Sequence, residues 1–158
     1  MIRKIQIIKL VKVPENIDEW VEWLNNKKVT KYSNQKNKQH TRSSQEKFIK
    51  SKLNSKKNLI FKINFNKKFV GVLELSFINN FKKDCQLSYM IGNIKNWGKG
   101  IATEAIRLAL IYSKNKLLLK KVYSGVEIKN MASKKVLLKN KFFIIKKTIK
   151  NIYLERSL

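Results

Sequence analysis

The chain has 158 residues and a formal net charge of +26, from 36 lysines and arginines against 10 aspartates and glutamates. This length predicts a single domain, residues 1–158, that is large enough for a hydrophobic core. An apolar fraction of 43% excludes a disordered chain, and the single cysteine excludes an internal disulfide and a multi-cysteine metal site. The N-terminal segment alternates charged and apolar residues, which predicts neither a signal peptide nor a membrane span. We therefore expect a cytoplasmic protein.

The positive charge has two interpretations. A net charge of +26 is typical of proteins that bind nucleic acids or anionic surfaces. However, 32 of the 36 basic residues are lysine, and the accompanying excess of asparagine and isoleucine is typical of AT-rich coding sequences. Arginine, which recognises phosphates and bases in a bidentate manner, occurs only four times. We favour solvated lysines over a nucleic-acid surface, with a general attraction for anionic small molecules in either case.

The spacing of apolar residues predicts an α/β (α+β) fold, a single mixed and mostly antiparallel central sheet flanked by helices. Strands are predicted at 5–13, 58–65, 69–78, 83–92 and 120–128, with a final strand pair at 142–149 and 152–158. Helices are predicted at 16–29, 43–54, roughly 99–115 and 130–140. Asn16 is the expected N-cap of the first helix, and Ser43 with Glu46 the expected capping box of the second. The three strands within 58–92 are expected to form an antiparallel meander.

A glycine-containing turn precedes the third predicted helix, in the sequence IKNWGKGIATEAI at 94–106. Gly98 and Gly100 allow a phosphate to approach backbone N–H groups that have no partner at a helix N-terminus. Thr103 adds a hydroxyl, and Lys95 and Lys99 add positive charge. The alternative is an ordinary tight turn that caps the helix. The glycine spacing matches neither the dinucleotide-binding fingerprint nor the P-loop.

The segment WGKGIATEA at 97–105 resembles motif A of the GNAT N-acetyltransferase superfamily, with Lys95 where arginine or glutamine usually stands. It is most similar to the branch of ribosomal-protein alanine acetyltransferases. The segments 130–142 and 23–32 resemble two further motifs of that branch, so the resemblance runs nearly end to end. It implies the GNAT fold and an acyltransferase that uses acetyl-CoA as cosubstrate, without a metal. It also implies direct transfer of the acetyl group to a primary amine in a ternary complex.

The resemblance further implies where CoA binds. Backbone amides from Asn96 to Thr103 would hold the pyrophosphate. Tyr89–Ile91 on the preceding strand would pair with the pantetheine arm, with an N–H near Met90 facing the thioester oxygen. Asn130 matches an asparagine that contacts the CoA arm, although it is also a plausible N-cap. The implied CoA-binding residues are Tyr89, Met90, Ile91, Asn96, Trp97, Gly98, Lys99, Gly100, Ile101, Ala102, Thr103 and Asn130.

The sequence departs from the family pattern where protons are moved. Leu137 stands at the position of a tyrosine that often acts as the general acid, and Gly125 at that of a glutamate that often acts as the base. Glu127 is our candidate catalytic base, because period-2 alternation places it on the same face as Gly125. A solvent-facing structural glutamate is the alternative. Candidate proton donors are Tyr89, Tyr123 and Ser133.

The acceptor is open between a protein N-terminus, a nucleotide-linked amino sugar and another small amine. Two alternatives to the enzyme remain: a catalytically degenerate CoA-binding module, prompted by Leu137 and Gly125, and, less favoured, a basic nucleic-acid-binding protein, prompted by the charge. The sequence is compatible with a homodimer.

Overall fold

The computed structural model describes residues 4–158, in which four α-helices and one short 3-10 helix accompany seven strands. The strands are β1 (Ile5–Lys9), β2 (Leu59–Phe65), β3 (Lys68–Asn79), β4 (Asp84–Ile91), β5 (Lys121–Glu127), β6 (Phe143–Lys147) and β7 (Asn151–Ser157). The helices are α1 (Ile17–Asn25), α2 (Arg42–Leu53), α3 (Ile101–Asn115) and α4 (Met131–Lys139), and the 3-10 helix is Ile94–Asn96. Every predicted strand and helix is present; most are shorter than predicted, whereas β3 is one residue longer at each end, and α2 and β7 each begin one residue earlier.

The strands form one sheet in the order β1-β2-β3-β4-β5-β7-β6. All neighbours are antiparallel except β4 and β5, which run parallel. The predicted meander of β2, β3 and β4 and the predicted final pair of β6 and β7 are both confirmed. The sheet is therefore mixed and mostly antiparallel, as predicted.

The parallel contact between β4 and β5 is short. It comprises three residue pairs, of which Gln86 with Tyr123 is the last. Just beyond it, the Ser124 hydroxyl on β5 donates to the Leu87 carbonyl on β4 at 2.9 Å, so a side chain replaces the backbone ladder. The two strands then continue without pairing, and a gap opens in the sheet towards their C-terminal ends.

Both faces of the sheet carry helices. The larger core lies under α3 and α4, and it includes Cys85, Ile106 and Leu137, which are at most 2% exposed. Burial raises the pKa of the Cys85 thiol to about 12, so it remains protonated and acts as a small core residue. The second core lies under α1 and α2 and contains Trp20 and Trp23.

The start of α2 differs from the predicted capping box. Thr41 is the N-cap, and its hydroxyl accepts from the Ser44 N–H at 3.1 Å while the Ser44 hydroxyl accepts from the Thr41 N–H at 3.0 Å. The predicted box of Ser43 and Glu46 is wrong by two residues. The physical reason is that Glu46 binds Arg42, one turn earlier, at 3.0 Å.

Asn16 occupies the N-cap position of α1 as predicted, but its side chain makes no capping bond. Its Oδ1 instead accepts from Lys62 Nζ on β2 at 3.0 Å. The residue therefore ties the beginning of α1 to the sheet rather than satisfying the helix itself.

The end of α4 places a lysine in a conformation that favours glycine. The N–H of Phe142 donates to the Leu137 carbonyl at 3.2 Å and that of Lys141 to Leu138 at 2.9 Å, which is the Schellman pattern of a helix C-terminus. Lys141 has φ +61°, in the left-handed region. A side chain costs about 1 kcal/mol in that region relative to glycine. Glycine would adopt this conformation without strain, whereas the chain has a lysine there.

We expect Lys141→Gly to increase the free energy of unfolding by about 1 kcal/mol, because glycine adopts the left-handed conformation without strain. Urea denaturation monitored by circular dichroism measures the change. Lys135→Gly is the matched control, since Lys135 is an exposed residue in the interior of α4, and there glycine should decrease stability by about 1 kcal/mol. Equal stability of Lys141→Gly and the unmodified protein would contradict the strain at this position.

Candidate active site

The connection between β4 and α3 is a well-bonded loop. Within its 3-10 helix and the next residue, the N–H groups of Asn96 and Trp97 donate to the carbonyls of Asn93 and Ile94 at 3.0 Å each. The indole Nε1 of Trp97 donates to the Ile91 carbonyl at the end of β4, at 2.7 Å. The loop is therefore held to the strand before it turns into the helix.

Two residues of this loop need glycine for their backbone conformation. Gly98 has φ +73° and Gly100 has φ +78°, and Gly100 is the N-cap of α3. A Cβ atom at either position would meet no other atom within 4 Å. The glycines therefore serve the left-handed conformation and leave the space above the loop open.

Six consecutive backbone N–H groups, from Gly98 to Thr103, have no hydrogen-bond acceptor among residues 4–158. The helical ladder begins with Glu104, whose N–H donates to the Gly100 carbonyl at 3.1 Å. The free donors lie at the positive end of the α3 dipole, which favours an anion. The sequence-based range of amide donors began at Asn96, but the amides of Asn96 and Trp97 are used within the loop itself.

Charged side chains around the loop are mostly positive. Lys95 and Lys99 are exposed, and Lys99 Nζ donates to Asn96 Oδ1 at 3.2 Å. The acidic residue of the first turn, Glu104, is bound by Arg107 at 2.7 Å, and that hydrogen bond lowers the pKa of its carboxyl. The start of α3 therefore combines free N–H donors with nearby lysines, as an anion site requires.

The edge of β4 that faces the gap is formed by alternate residues. The carbonyls of Leu87 and Ile91 point to this edge, since they accept from Ser124 and from the loop indole respectively. Gly92, in contrast, donates to the Val70 carbonyl on β3. Since backbone groups alternate along a strand, those of Tyr89 also point into the gap.

Alternation changes one sequence-based expectation. Met90 lies between two residues whose backbone groups face the gap, so its own N–H points to β3, where Met90 pairs with Val72. The donor to a thioester oxygen that was expected near Met90 is therefore the N–H of Tyr89 or Ile91. Their role towards a ligand stays a prediction.

Side chains on the α4 side of the gap form a short hydrogen-bonded chain. The Tyr89 hydroxyl donates to Ser133 Oγ at 2.9 Å, and the Ser133 N–H donates to Asn130 Oδ1 at 3.1 Å. Asn130 is thus the N-cap of α4, as one of its two interpretations predicted. Burial raises the pKa of the Tyr89 phenol, and the Ser133 hydrogen bond offsets only part of that effect. Leu137, one turn after Ser133, is fully buried.

Glu127 lies at the end of β5 on the opposite face of the sheet. It shares this face with Gly125, as predicted, and its carboxylate is 24% exposed with Lys150 Nζ at 3.8 Å. A Cβ atom at Gly125 would lie 3.4 Å from the ring of Tyr153 on β7. That ring occupies space beside the position where the family often has a glutamate.

Tyr123 lies on the same face as Glu127, so the structure separates it from the other two candidate proton donors, Tyr89 and Ser133. Tyr123 pairs in register with Glu155 on β7, and the pKa of its phenol is raised, first by burial and then by the Glu155 charge. Tyr123 belongs to the last residue pair before the gap opens.

Residues 4–158 contain neither a candidate membrane-spanning helix nor a candidate metal cluster. None of their helices is both long and apolar enough to cross a lipid bilayer. None of their histidine, cysteine, aspartate and glutamate side chains form a group of three or more that could hold a metal ion.

Comparison with known proteins gives one family and many similar folds. Residues 8–142 match the model of the acetyltransferase (GNAT) domain. No curated protein matches the chain at a significant level.

Three solved structures illustrate the similarity of fold. Spermidine N-acetyltransferase from Vibrio cholerae, in complex with CoA and spermine, is 18% identical, with 97% of this chain and 95% of that chain covered and a TM-score of 0.87. The N-acetyltransferase PseH from Campylobacter jejuni, in complex with acetyl coenzyme A, is 15% identical over 98% and 99% of the chains, with a TM-score of 0.74. A GNAT-family acetyltransferase from Streptococcus pneumoniae is 17% identical over 98% and 99%, with a TM-score of 0.77. These matches confirm the predicted fold.

A contact between α1 and Gly92, the last residue before the loop, fixes the position of α1 beside the site. A Cβ atom at Gly92 would lie 1.8 Å from the indole of Trp23, which itself stacks against Phe69 at 4.7 Å between ring centroids. We expect Gly92→Ala to decrease the free energy of unfolding by about 2 kcal/mol, because the indole and α1 must move. Urea denaturation measures this loss.

Gly125→Ala is the matched control, since its new methyl group would make only an ordinary contact with Tyr153. Combining Gly92→Ala with Trp23→Leu should recover part of the loss, because the smaller side chain vacates the space. A Gly92→Ala protein as stable as the control would contradict the close packing.

Proposed function

The chain belongs to the GNAT acetyltransferase family, and we propose that it transfers the acetyl group of acetyl-CoA to a primary amine. The observation that carries this proposal is the run of six free N–H groups from Gly98 to Thr103, next to the open edge of β4. In the proposed complex the pyrophosphate of CoA accepts from these groups. The pantetheine arm lies along β4, where the backbone groups of Tyr89 and the N–H of Ile91 are free to pair with it as with an added strand.

We propose direct transfer, in which the amine attacks the thioester while both substrates are bound. The N–H of Tyr89 or Ile91 would stabilise the oxyanion of the tetrahedral intermediate. A covalent acetyl-cysteine intermediate is disfavoured, because Cys85 is 2% exposed and burial raises its pKa to about 12. Residues 1–158 would act as one catalytic domain.

Glu127 is the proposed base, acting through a water molecule. Amines are largely protonated near neutral pH, so attack requires a proton acceptor. The Glu127 carboxylate is part-buried at the end of β5, next to the gap in the sheet, and its ion pair with Lys150 is long at 3.8 Å. Both properties leave the carboxylate available to a water molecule.

The acceptor is proposed only as a class. The motif at 97–105 favours the N-terminal amine of a protein, as in the ribosomal-protein branch. The Vibrio cholerae neighbour is a spermidine N-acetyltransferase, which adds polyamines to the candidates. Nucleotide-linked amino sugars are a third class. A panel with one amine of each class, assayed for CoA release with acetyl-CoA, separates them.

A CoA-binding module without turnover is the second candidate function. The buried Leu137 and Gly125, which lies beside the Tyr153 ring, favour it, because they stand at positions where the family often has proton-transfer groups. Calorimetry with acetyl-CoA together with the amine panel distinguishes the two functions. Binding without acetyl transfer to any amine would support the module, and neither binding nor transfer would overturn both.

Gly100→Val should weaken acetyl-CoA binding by about 2 kcal/mol or more, roughly thirtyfold in Kd. A β-branched residue at φ +78° strains the loop and projects into the space above the free N–H groups. Isothermal titration calorimetry measures the affinity. Leu118→Val is the matched control, because Leu118 also has a positive φ, +53°, but lies beyond the other end of α3. Unchanged affinity in a folded Gly100→Val protein would contradict the phosphate site.

Glu127→Gln should lower kcat by about 10²–10⁴ near neutral pH while the affinity for CoA stays unchanged. The loss should shrink as the pH rises, because more of the amine is then already deprotonated. Lys150→Gln is the control, since it removes the ion-pair partner but keeps the carboxylate. Steady-state rates between pH 6 and about 10 provide the comparison. If Glu127→Gln keeps its rate within a few-fold at every pH, Glu127 is a structural residue.

A further inference from the structure

The phenol of Tyr89 occupies a defined place at the gap between β4 and β5. Tyr89 and Val126 are each three residues beyond the last parallel pair, Gln86 with Tyr123, so they flank the gap at the same depth. Both pack on the core beneath α4. The Tyr89 hydroxyl is fixed by Ser133 on that helix at 2.9 Å. A phenol is therefore held at the α4 side of the gap.

The remaining side chains of this region cannot supply a proton. Leu137 projects from the same face of α4 as Ser133, one turn later, and it is fully buried. The neighbouring core side chains Ile91, Val126 and Val136 are hydrocarbon. The Ser124 hydroxyl, at the closed end of the gap, already donates to the Leu87 carbonyl at 2.9 Å. The Tyr89 phenol and the Ser133 hydroxyl are the hydroxyl groups that remain beside the open part of the gap.

Tyr123 is the other tyrosine on the two strands that flank the gap, but its side chain lies in a different place. Its side chain lies on the opposite face of the sheet, at the closed end of the gap. There it lies in register with Glu155 on β7, whose carboxylate binds Lys121 at 3.2 Å and whose charge raises the pKa of the Tyr123 phenol. The Tyr89 phenol, on the α4 side of the gap, faces no carboxylate and is therefore the better placed proton donor for the leaving group.

We propose that Tyr89 is the general acid that protonates the thiolate of CoA, and that Ser133 is the residue that positions it. The inference rests on the proposed function, acetyl transfer from acetyl-CoA. The thioester would lie along the edge of β4 formed by Tyr89 itself, so the side chain and the backbone of one residue serve the same reacting group.

The chemical step balances without a further reactant. The amine nitrogen attacks the carbonyl carbon, and the π electron pair moves to the oxygen. When the intermediate collapses, the carbon–sulfur bond breaks and its electron pair moves to sulfur, while the phenol O–H transfers its proton to that sulfur. The products are the acetylated amine and CoA thiol. The phenolate regains its proton from solvent, which receives the proton lost by the amine.

The environment keeps the Tyr89 phenol protonated. Burial raises the pKa of Tyr89, the Ser133 hydroxyl lowers it less, and no ionised side chain of the described residues contributes. Since the pKa lies above the ordinary tyrosine value, the proton is present throughout the neutral range and is lost only as the pH rises above that value. An acid of this kind is able to protonate a thiolate, which would otherwise leave as an anion.

The test compares Tyr89→Phe with the unmodified protein in acetyl-CoA affinity and in kcat, on an amine that the protein acetylates. We expect kcat to fall about 10²-fold or more with CoA affinity within threefold. Ser133→Ala should lower kcat by a smaller factor, because the phenol remains but is no longer fixed. Tyr112→Phe is the matched control, since Tyr112 contacts the Phe61 ring edge-on within the core.

A second measurement separates proton transfer from structure. Replacing Tyr89 by 3-fluorotyrosine lowers the pKa of the phenol with almost no change in shape. The alkaline decline of kcat should therefore move to lower pH, whereas a purely structural tyrosine would leave the pH profile unchanged. The same substitution at Tyr112 should leave it in place.

The outcomes distinguish the inference from the function on which it rests. If the unmodified protein transfers no acetyl group to any amine of the panel, the proposed function fails and the inference with it. If the unmodified protein is active and Tyr89→Phe keeps its rate within threefold, or the fluorotyrosine profile does not move, only the inference is overturned. A loss in Tyr123→Phe in place of Tyr89→Phe would assign the acid to the other face.

Discussion

The site depends on a mismatch in how far β4 is paired on its two sides. On one side it pairs with β3 along its length, and on the other it pairs with β5 for three residues only. A strand with a free edge exposes unsatisfied backbone donors and acceptors, which normally invite another strand. Here the free edge lies inside the sheet, between two strands, rather than at its margin. A ligand with amide groups is the natural complement of such an edge.

The glycine loop between β4 and α3 adds a second set of backbone N–H donors next to this free edge. Trp97 closes the end of β4 by binding the Ile91 carbonyl, and the chain then passes through two left-handed glycines into α3. The N–H groups of Tyr89 and Ile91 and those from Gly98 to Thr103 are thus close in sequence and open on the same side of the strand end. An elongated molecule with an amide-bearing arm and a phosphate end can use both. The lysine-rich surface adds a general attraction for such an anion.

Sequence reasoning predicted the fold and the glycine turn before α3 because both depend on local patterns. The alternation in β5 correctly places Glu127 and Gly125 on one face, and the two glycines mark the start of α3. The direction of the Met90 N–H could not be predicted, since it depends on which residues of β4 bind β3. The Tyr89–Ser133 hydrogen bond joins residues 44 apart in the chain, and no local pattern predicts it. The capping box of α2 was misplaced because Ser43 is a plausible N-cap until the backbone at Thr41 is known.

The indole of Trp23 against the backbone of Gly92 has an evolutionary consequence. A methyl group added at Gly92 would overlap the Trp23 ring, so a larger residue at position 92 destabilises the fold while that ring remains. A gain in volume at position 92 therefore costs least when it is matched by a loss of volume at position 23. Sequence change in α1, the helix that carries Trp23, is thereby restricted by the strand that leads into the glycine loop. Two positions almost 70 residues apart in the chain are therefore expected to vary together.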